Sequence, residues 1–128
     1  MRSQSVLLVD DDRDLRSAVA LVLEAEGHVV RQAEHGRHAL ITIARAPPHL
    51  IILDLKMPVM DGRAFLEQKA RSEHAAIPVV IFSSTPPEDV ESLPGVVSVV
   101  HKLSGVDALL DAVKHAAQGL ARDARSLS

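Results

Sequence analysis

The chain has 128 residues, with 14 basic and 17 acidic side chains, a formal net charge of −3 and no cysteine. This length fits one domain with a single core, and the lack of cysteine excludes a disulfide framework or a thiolate metal site. No cluster of lysine and arginine suggests direct nucleic-acid binding, and no apolar stretch approaches the roughly 18 residues of a membrane span, so we expect a cytoplasmic protein without membrane insertion.

Five short runs rich in valine, isoleucine and leucine predict β-strands. They cover residues 6–9, 28–33, 50–53, 77–82 and 96–100. Nearly continuous apolar runs of this length are typical of strands that are buried on both faces of a parallel sheet. The predicted strands alternate with helical patterns along the whole chain.

Apolar residues at helical spacing predict a helix in each of the first three intervals. The first helix ends at Gly27, and its apolar face is Leu15, Ala18, Val19, Val22 and Leu23. The second ends before Pro47-Pro48, with the face Ala39, Leu40, Ile43 and Ala44. The third follows Gly62 and has the face Phe65, Leu66 and Ala70.

The fourth and last helices are predicted to differ in length. Thr85-Pro86-Pro87-Glu88 has a capping-box pattern, but Pro94-Gly95 ends that segment after about two turns, so helix four is shortened. The last helix begins near Ser104, and its apolar face is Val106, Leu109, Leu110, Val113, Ala117 and Leu120.

Alternating strands and helices predict an α/β fold, doubly wound, with a five-stranded parallel sheet and helices on both faces. Ligands of such folds bind beyond the carboxyl ends of the strands, where strand order reverses. The residues that follow the strands are Asp10, Asp11, Asp54, Ser83, Ser84, His101 and Lys102. The sequence therefore predicts that acids, hydroxyls and a cation meet at one edge of the sheet.

The acidic stretch that begins this group, Asp10 to Asp12, has two explanations. An aspartate after a strand can cap the next helix, and acidic residues suit its first turn, as we expect of Asp12 and Asp14. Several carboxylates that lie close together repel, however, unless a cation is present. Asp10, Asp11 and Asp54 would form an all-oxygen site of the kind that Mg²⁺ accepts.

The other residues predicted at this edge of the sheet, Lys102 and Ser83, could bind a phosphoryl group. Lys102 and the Ser83 hydroxyl would supply donors for its oxygens, and a carboxylate can serve as the nucleophile once its charge is offset. The chain has no GxxxxGK[ST] or GxGxxG loop, so a nucleotide is not indicated.

Four stretches, LLVDDDRDLR, IILDLKMPVMDG, IPVVIFSS and VVHK, resemble the receiver domain of two-component response regulators. The resemblance covers nearly the whole chain, and LDLKMPVMDG is its most specific part. It implies a flavodoxin-like sheet of strand order 2-1-3-4-5, a receiver domain over residues 1–122 and a C-terminal tail over residues 123–128. It also implies a phosphoacceptor signalling domain that is no enzyme but assists its own phosphoryl transfer and dephosphorylation.

The resemblance also implies residue roles. Asp54 would take the phosphoryl group from a phosphohistidine on a sensor histidine kinase or a histidine phosphotransfer protein. Lys102 would pair with a phosphoryl oxygen, and Ser83 would donate a hydrogen bond to the group and carry the signal to an unknown downstream protein. Mg²⁺ would be bound directly by Asp11, Asp54 and the backbone carbonyl of Lys56, and through water by Asp10.

The sequence departs from the family pattern at several positions. Leu103 follows the lysine where receivers usually have proline, Val99 replaces a frequent aromatic residue, and the segment from residue 83 to 102 is short. These departures motivate an alternative, a pseudo-receiver that works as an interaction module without phosphorylation. A third hypothesis, an enzyme of flavodoxin-like fold, is disfavoured by the lack of tryptophan and tyrosine to stack a flavin.

Overall fold

The computed structural model describes the backbone of residues 3–126 and the side chains of residues 3–120. Five strands and four α-helices alternate in this part of the chain: β1 (Ser5–Val9), α1 (Arg13–Ala25), β2 (Val29–Ala33), α2 (Gly36–Arg45), β3 (Leu50–Leu53), α3 (Gly62–Ala70), β4 (Val79–Ser83), β5 (Val96–His101) and α4 (Gly105–Ser126).

All the strands are parallel and form one sheet in the order β2-β1-β3-β4-β5. The predicted fold and strand order are therefore confirmed. Strand order reverses between β1 and β3, so the chain after these two strands enters the crevice where ligands bind in this fold class. The predicted strand bounds are close, although β4 and β5 include Ser83 and His101, which the sequence predicted to follow them.

The core has two layers, one on each face of the sheet. Residues of α1 and α4 pack on one face, and residues of α2 and α3 pack on the other. The four residues of β3 and the central residues of β1 and β4 are buried, as expected of strands with helices on both sides.

The predicted fourth helix is wrong in its extent. Within the described residues, the segment between β4 and β5 contains one turn of 3-10 helix, Val90–Ser92. Prolines at 86, 87 and 94 leave too few residues to offset the cost of helix nucleation. Val90 is buried in the core and holds the turn against the sheet.

The N-termini of α1, α2 and α3 are capped by side chains, two of which the sequence did not predict. Asp12, predicted as a first-turn residue, is the N-cap of α1 and accepts from the Leu15 N–H. The Nδ1 atom of His35 caps α2 in the same way, and Asp61 caps α3. Helix α4 continues to Ser126, into the segment predicted as a tail, and the domain boundary at residue 122 stays a prediction.

One predicted helix face is displaced by a residue. Ala70 is exposed, whereas Lys69 is buried and its ammonium donates to the Ala75 carbonyl at 2.9 Å. Residue 69 lies four positions after Phe65 and three after Leu66, which places it on the same face as these two core residues. Ala18 and Ala44, also assigned to apolar faces, are exposed.

A histidine holds the start of β1. The Nδ1 atom of His28, which is buried, accepts from the Gln4 N–H at 3.1 Å. Burial lowers the pKa of this imidazole, against a smaller opposite effect of Glu26. Protonation at Nδ1 would also remove the acceptor, so this hydrogen bond requires a ring that is unprotonated at Nδ1.

We predict that His28 makes the fold sensitive to mild acid. Because the folded pKa lies below the unfolded value near 6.5, the stabilisation is complete above about pH 6.5 and is lost as the pH falls through the folded pKa, by at most about 1.4 kcal/mol per pH unit. His28→Asn keeps an acceptor that does not titrate, so its free energy of unfolding should fall less between pH 7 and 5. Denaturant unfolding at several pH values measures this. His115→Asn, at an exposed histidine, is the control. If it reduced the fall in the free energy of unfolding between pH 7 and 5 as much as His28→Asn does, the role of His28 would be contradicted.

Val59 lies in the loop between β3 and α3 with a φ of 67°, the one positive φ of a non-glycine residue in the described part of the chain. Its side chain is 74% exposed, so little packing offsets the strain that a β-branched residue has in this conformation.

We therefore expect Val59→Asn to raise the free energy of unfolding by about 1 kcal/mol, because asparagine tolerates positive φ. Equilibrium unfolding in urea measures this change. Val97→Asn is the matched control, since Val97 is also exposed but its φ is not positive, and it should show no gain. A gain of the same size in both variants would assign the effect to lost surface hydrophobicity instead.

Candidate functional site

Three charged side chains from three strands meet at the carboxyl edge of the sheet. Asp10 follows β1, Asp54 follows β3 and Lys102 follows β5. The Lys102 Nζ lies 2.9 Å from Asp10 Oδ2 and 3.1 Å from Asp54 Oδ2. Both carboxylates are buried, and the ammonium is about one-fifth exposed. The convergence expected from the parallel sheet is therefore present.

Hydrogen bonds hold the N–H, the carboxylate and the carbonyl of Asp10. Its N–H donates to the Ala33 carbonyl at 3.1 Å, and its Oδ1 accepts from the Asp12 N–H at 2.9 Å. Its own carbonyl accepts from Arg16 Nη1 at 2.6 Å. The carboxylate is thus directed at Lys102 by the start of α1.

Asp54 is held by its own loop. Its N–H donates to the Val9 carbonyl at 2.9 Å, and its Oδ1 accepts from the Lys56 N–H at 3.3 Å. Gly62, at the start of α3, packs directly on this loop, because a Cβ there would lie 2.8 Å from the Asp54 carbonyl oxygen and 2.7 Å from the Leu55 Cα. A glycine is therefore required for α3 to approach the backbone of Asp54 so closely.

Asp11 completes an acidic cluster. Each of Asp10, Asp11 and Asp54 offers one carboxylate oxygen, and these oxygens lie within 4.8 Å of one another, with Asp11 exposed and the other two buried. Three carboxylates against one ammonium leave two negative charges uncompensated. Hard oxygen donors and this excess of negative charge fit a divalent cation such as Mg²⁺.

Burial and hydrogen bonding have opposite effects on the pKa values of Asp10 and Lys102. Burial raises the pKa of the Asp10 carboxyl, although the hydrogen bonds from Lys102 and the Asp12 N–H oppose it. Burial alone would lower the pKa of Lys102, but the hydrogen bond and charge of Asp10, followed by those of Asp54, outweigh it and raise the pKa. Lys102 therefore stays charged, while burial keeps the pKa of Asp10 raised in spite of its hydrogen bond from Lys102.

Ser83 is the last residue of β4, is buried, and lies opposite His101 of β5 in the strand register. This places it at the same edge as the cluster, between the strands that carry Asp54 and Lys102. Among the described residues, no hydrogen bond joins its hydroxyl to Asp54, and Ser84 beside it is exposed. The edge thus contains every residue that the sequence predicted there.

Leu103 does not prevent Lys102 from reaching the cluster. Lys102 begins a short 3-10 turn, Lys102–Ser104, and Leu103 itself is 94% exposed.

Arg16 was not identified as a site residue from the sequence. It lies on α1, half-buried, and reaches back to the Asp10 carbonyl. The one signal in the sequence is its position five residues after Asp11. A contact between a side chain and a backbone carbonyl has no sequence motif that would predict it.

No helix in the described part of the chain has the length and apolar character needed to cross a bilayer.

Comparison with known proteins gives a family match over most of the chain. The family described as "Response regulator receiver domain" matches residues 6–114. This range includes Asp10, Asp11, Asp54, Ser83 and Lys102.

Two relatives show how the chain compares with longer proteins. It is 44% identical over 82 residues to a protein-glutamate methylesterase/protein-glutamine glutaminase of Treponema pallidum, which covers 62% of this chain and 20% of that protein. It is 32% identical over 106 residues to the response regulator MprA of Mycolicibacterium vanbaalenii, which covers 83% of this chain and 41% of that protein. The chain thus spans less than half the length of these relatives.

A solved structure gives the same result for the fold. The chemotaxis protein CheY4 of Vibrio cholerae superimposes with a TM-score of 0.81 at 26% identity, covering 90% of this chain and 99% of that one. The family match, with which this similarity of fold agrees, shows that the chain belongs to the response regulator receiver domain family of two-component signalling.

Proposed function

We propose that this receiver domain is a phosphoacceptor switch, with Asp54 as the residue that receives the phosphoryl group. The observation that carries the proposal is the Lys102 ammonium shared by Asp10 and Asp54 inside an acidic cluster. The phosphodonor is a phosphohistidine on a sensor histidine kinase or a histidine phosphotransfer protein, and the domain works in the cytoplasm.

In the proposed step, a carboxylate oxygen of Asp54 forms a bond to phosphorus while the bond between phosphorus and the imidazole nitrogen of the donor breaks. The imidazole leaves with the electron pair of that bond and takes a proton from solvent. The product is an acyl phosphate on Asp54. Because both reactants are negative, the transfer depends on nearby positive charge.

Lys102 supplies part of that charge. Its ammonium already lies 3.1 Å from an Asp54 oxygen, so an oxygen of the incoming phosphoryl group falls within its reach. Bound Mg²⁺ would neutralise further charge on the transferred group, with Asp11, Asp54 and the Lys56 carbonyl as direct ligands and Asp10 acting through water.

Ser83 is proposed to pass the change outward. Its hydroxyl would donate to the phosphoryl group, and the segment that follows it, residues 84–89, is tethered by an ion pair between Arg63 and Asp89 at 3.0 Å. Residues 84–89 contain no helix or strand, so this segment is proposed as the part that moves toward the site. A downstream protein would recognise the rearranged segment.

The pseudo-receiver alternative has one observation in its favour, the reduction of the fourth helix to a single turn. It requires that the cluster serve stability or partner binding alone. A measurement of phosphorylation therefore distinguishes the phosphoacceptor switch from the pseudo-receiver.

We expect Mg²⁺ to stabilise the protein, because it offsets the two uncompensated charges. At a concentration ten times its Kd, linkage gives about 1.4 kcal/mol, or a rise in Tm of roughly 3–6 °C for a domain of this size. Asp11→Asn should raise the Tm of the metal-free protein slightly and lose the response. Asp14→Asn, on the exposed first turn of α1, should keep it. A wild-type Tm that is unchanged in millimolar Mg²⁺ would contradict the metal site.

We also expect acetyl phosphate with Mg²⁺ to add one phosphoryl group, at Asp54, in a form labile to hydroxylamine. Intact-protein and peptide mass spectrometry measures the product and its site. Lys102→Ala should slow the reaction on the order of 100-fold through the loss of one electrostatic donor, and Lys114→Ala on the exposed face of α4 should not.

Two results would change the assignment. Modification that persists in Asp54→Asn would transfer the role to another residue. Absence of modification in a folded wild-type protein that binds Mg²⁺ would favour the pseudo-receiver.

A further inference from the structure

Arg16 joins three elements at the acidic edge. It lies on α1, its Nη1 donates to the Asp10 carbonyl at 2.6 Å, and its Nε donates to Gln32 Oε1 on β2 at 3.3 Å. The side chain is half-buried, and no carboxylate among the described residues forms an ion pair with it. The guanidinium therefore acts through a backbone carbonyl next to the site.

The carbonyl that Arg16 binds belongs to the peptide between Asp10 and Asp11. On the other side of Asp10, its N–H is bonded to the Ala33 carbonyl. The orientation of this peptide decides where the Asp11 backbone, and with it the Asp11 carboxylate, is placed.

Asp11 depends on that placement more than its neighbours do. Asp10 and Asp54 are buried and each accepts a hydrogen bond from a backbone N–H and from Lys102. Asp11 is exposed, and within the described residues its carboxylate has no hydrogen-bond partner. No side-chain partner holds this carboxylate, so the backbone of Asp11 decides whether any of its rotamers can bring it close to the other two oxygens.

We propose that Arg16 is a positioning residue for the metal site. By holding the peptide between Asp10 and Asp11, it keeps the Asp11 carboxylate inside the cluster of oxygens that would bind Mg²⁺. The inference rests on the proposed function in taking Mg²⁺ as the ligand of the cluster. Arg16 itself would touch neither the metal nor the phosphoryl group.

The direction in which Mg²⁺ affinity changes when Arg16 is replaced distinguishes a positioning role from an effect of its charge. A guanidinium beside the cluster repels a divalent cation, so if charge were its main effect, its removal would tighten Mg²⁺ binding. A positioning role has the opposite effect, because loss of a group that orients a ligand typically weakens metal binding 10–100-fold.

The experiment is an NMR titration of backbone amide shifts with Mg²⁺, which yields a Kd without any phosphodonor. We expect Arg16→Met to raise the Kd at least tenfold. Arg13→Met is the matched control, since Arg13 is an exposed arginine at the start of the same helix, and its Kd should stay within about threefold of wild type. Arg16→Gln is too short to reach the Asp10 carbonyl and carries the same expectation if Arg16→Met folds poorly.

The outcomes separate this inference from the proposed function. A folded Arg16 variant that binds Mg²⁺ as tightly as wild type, or more tightly, overturns the positioning role and leaves the metal site intact. An equal loss in Arg13→Met would overturn it too, because the effect would then be general to the helix charge. A wild-type protein that shows no Mg²⁺-dependent shifts near Asp11 overturns both.

Discussion

The ammonium of Lys102, shared between the carboxylates of Asp10 and Asp54, is the interaction on which the carboxyl edge of the sheet depends. It joins the ends of β1, β3 and β5, and it spans β4 to do so. Two buried carboxylates without a cation would be costly, since desolvation of each charge would add to their repulsion. One ammonium lessens that cost but leaves the cluster negative once Asp11 is included. The edge is thus stable enough to fold and still attractive to a divalent cation.

The same imbalance connects stability to the proposed chemistry. A site that already matched its charges would gain nothing from Mg²⁺ and would have no cation free to meet a phosphoryl group. Here the pKa of Asp10 is raised mainly by burial, and the Lys102 ammonium is held charged by its partners. Under the proposed function, an arriving phosphoryl group would meet an ammonium already in place, and a bound metal ion would offset the remaining charge of the carboxylates.

The sequence predicted the sheet and the convergence of the site because both follow from short-range rules. Buried parallel strands read as apolar runs, and the residues after them meet at one edge. Competing local preferences explain the failures. The capping-box pattern at residues 85–88 favoured a helix that the prolines prevent, and Ala70 was preferred to Lys69 because alanine is apolar, although a lysine stem can be buried where its ammonium reaches a carbonyl. The contact of Arg16 with Asp10 depends on how α1 leans on the sheet, which no local pattern encodes.

The reduced fourth helix has a further consequence for the switch. A signal can leave the site only through an element with two arrangements that differ in their interaction with the phosphoryl group. In this chain, the segment after Ser83 is held by the exposed Arg63–Asp89 pair and by one buried valine, Val90. Exposed ion pairs contribute little to stability, so residues 84–89 are weakly restrained while Val90 fixes the far end. Val99 has a short and rigid side chain, which cannot move between a buried and an exposed position as an aromatic side chain can, so β5 offers no second route for the signal. Under the proposed function, the rearrangement is therefore confined to the short segment between Ser83 and Val90, which makes that segment the surface on which a downstream protein would distinguish the two states.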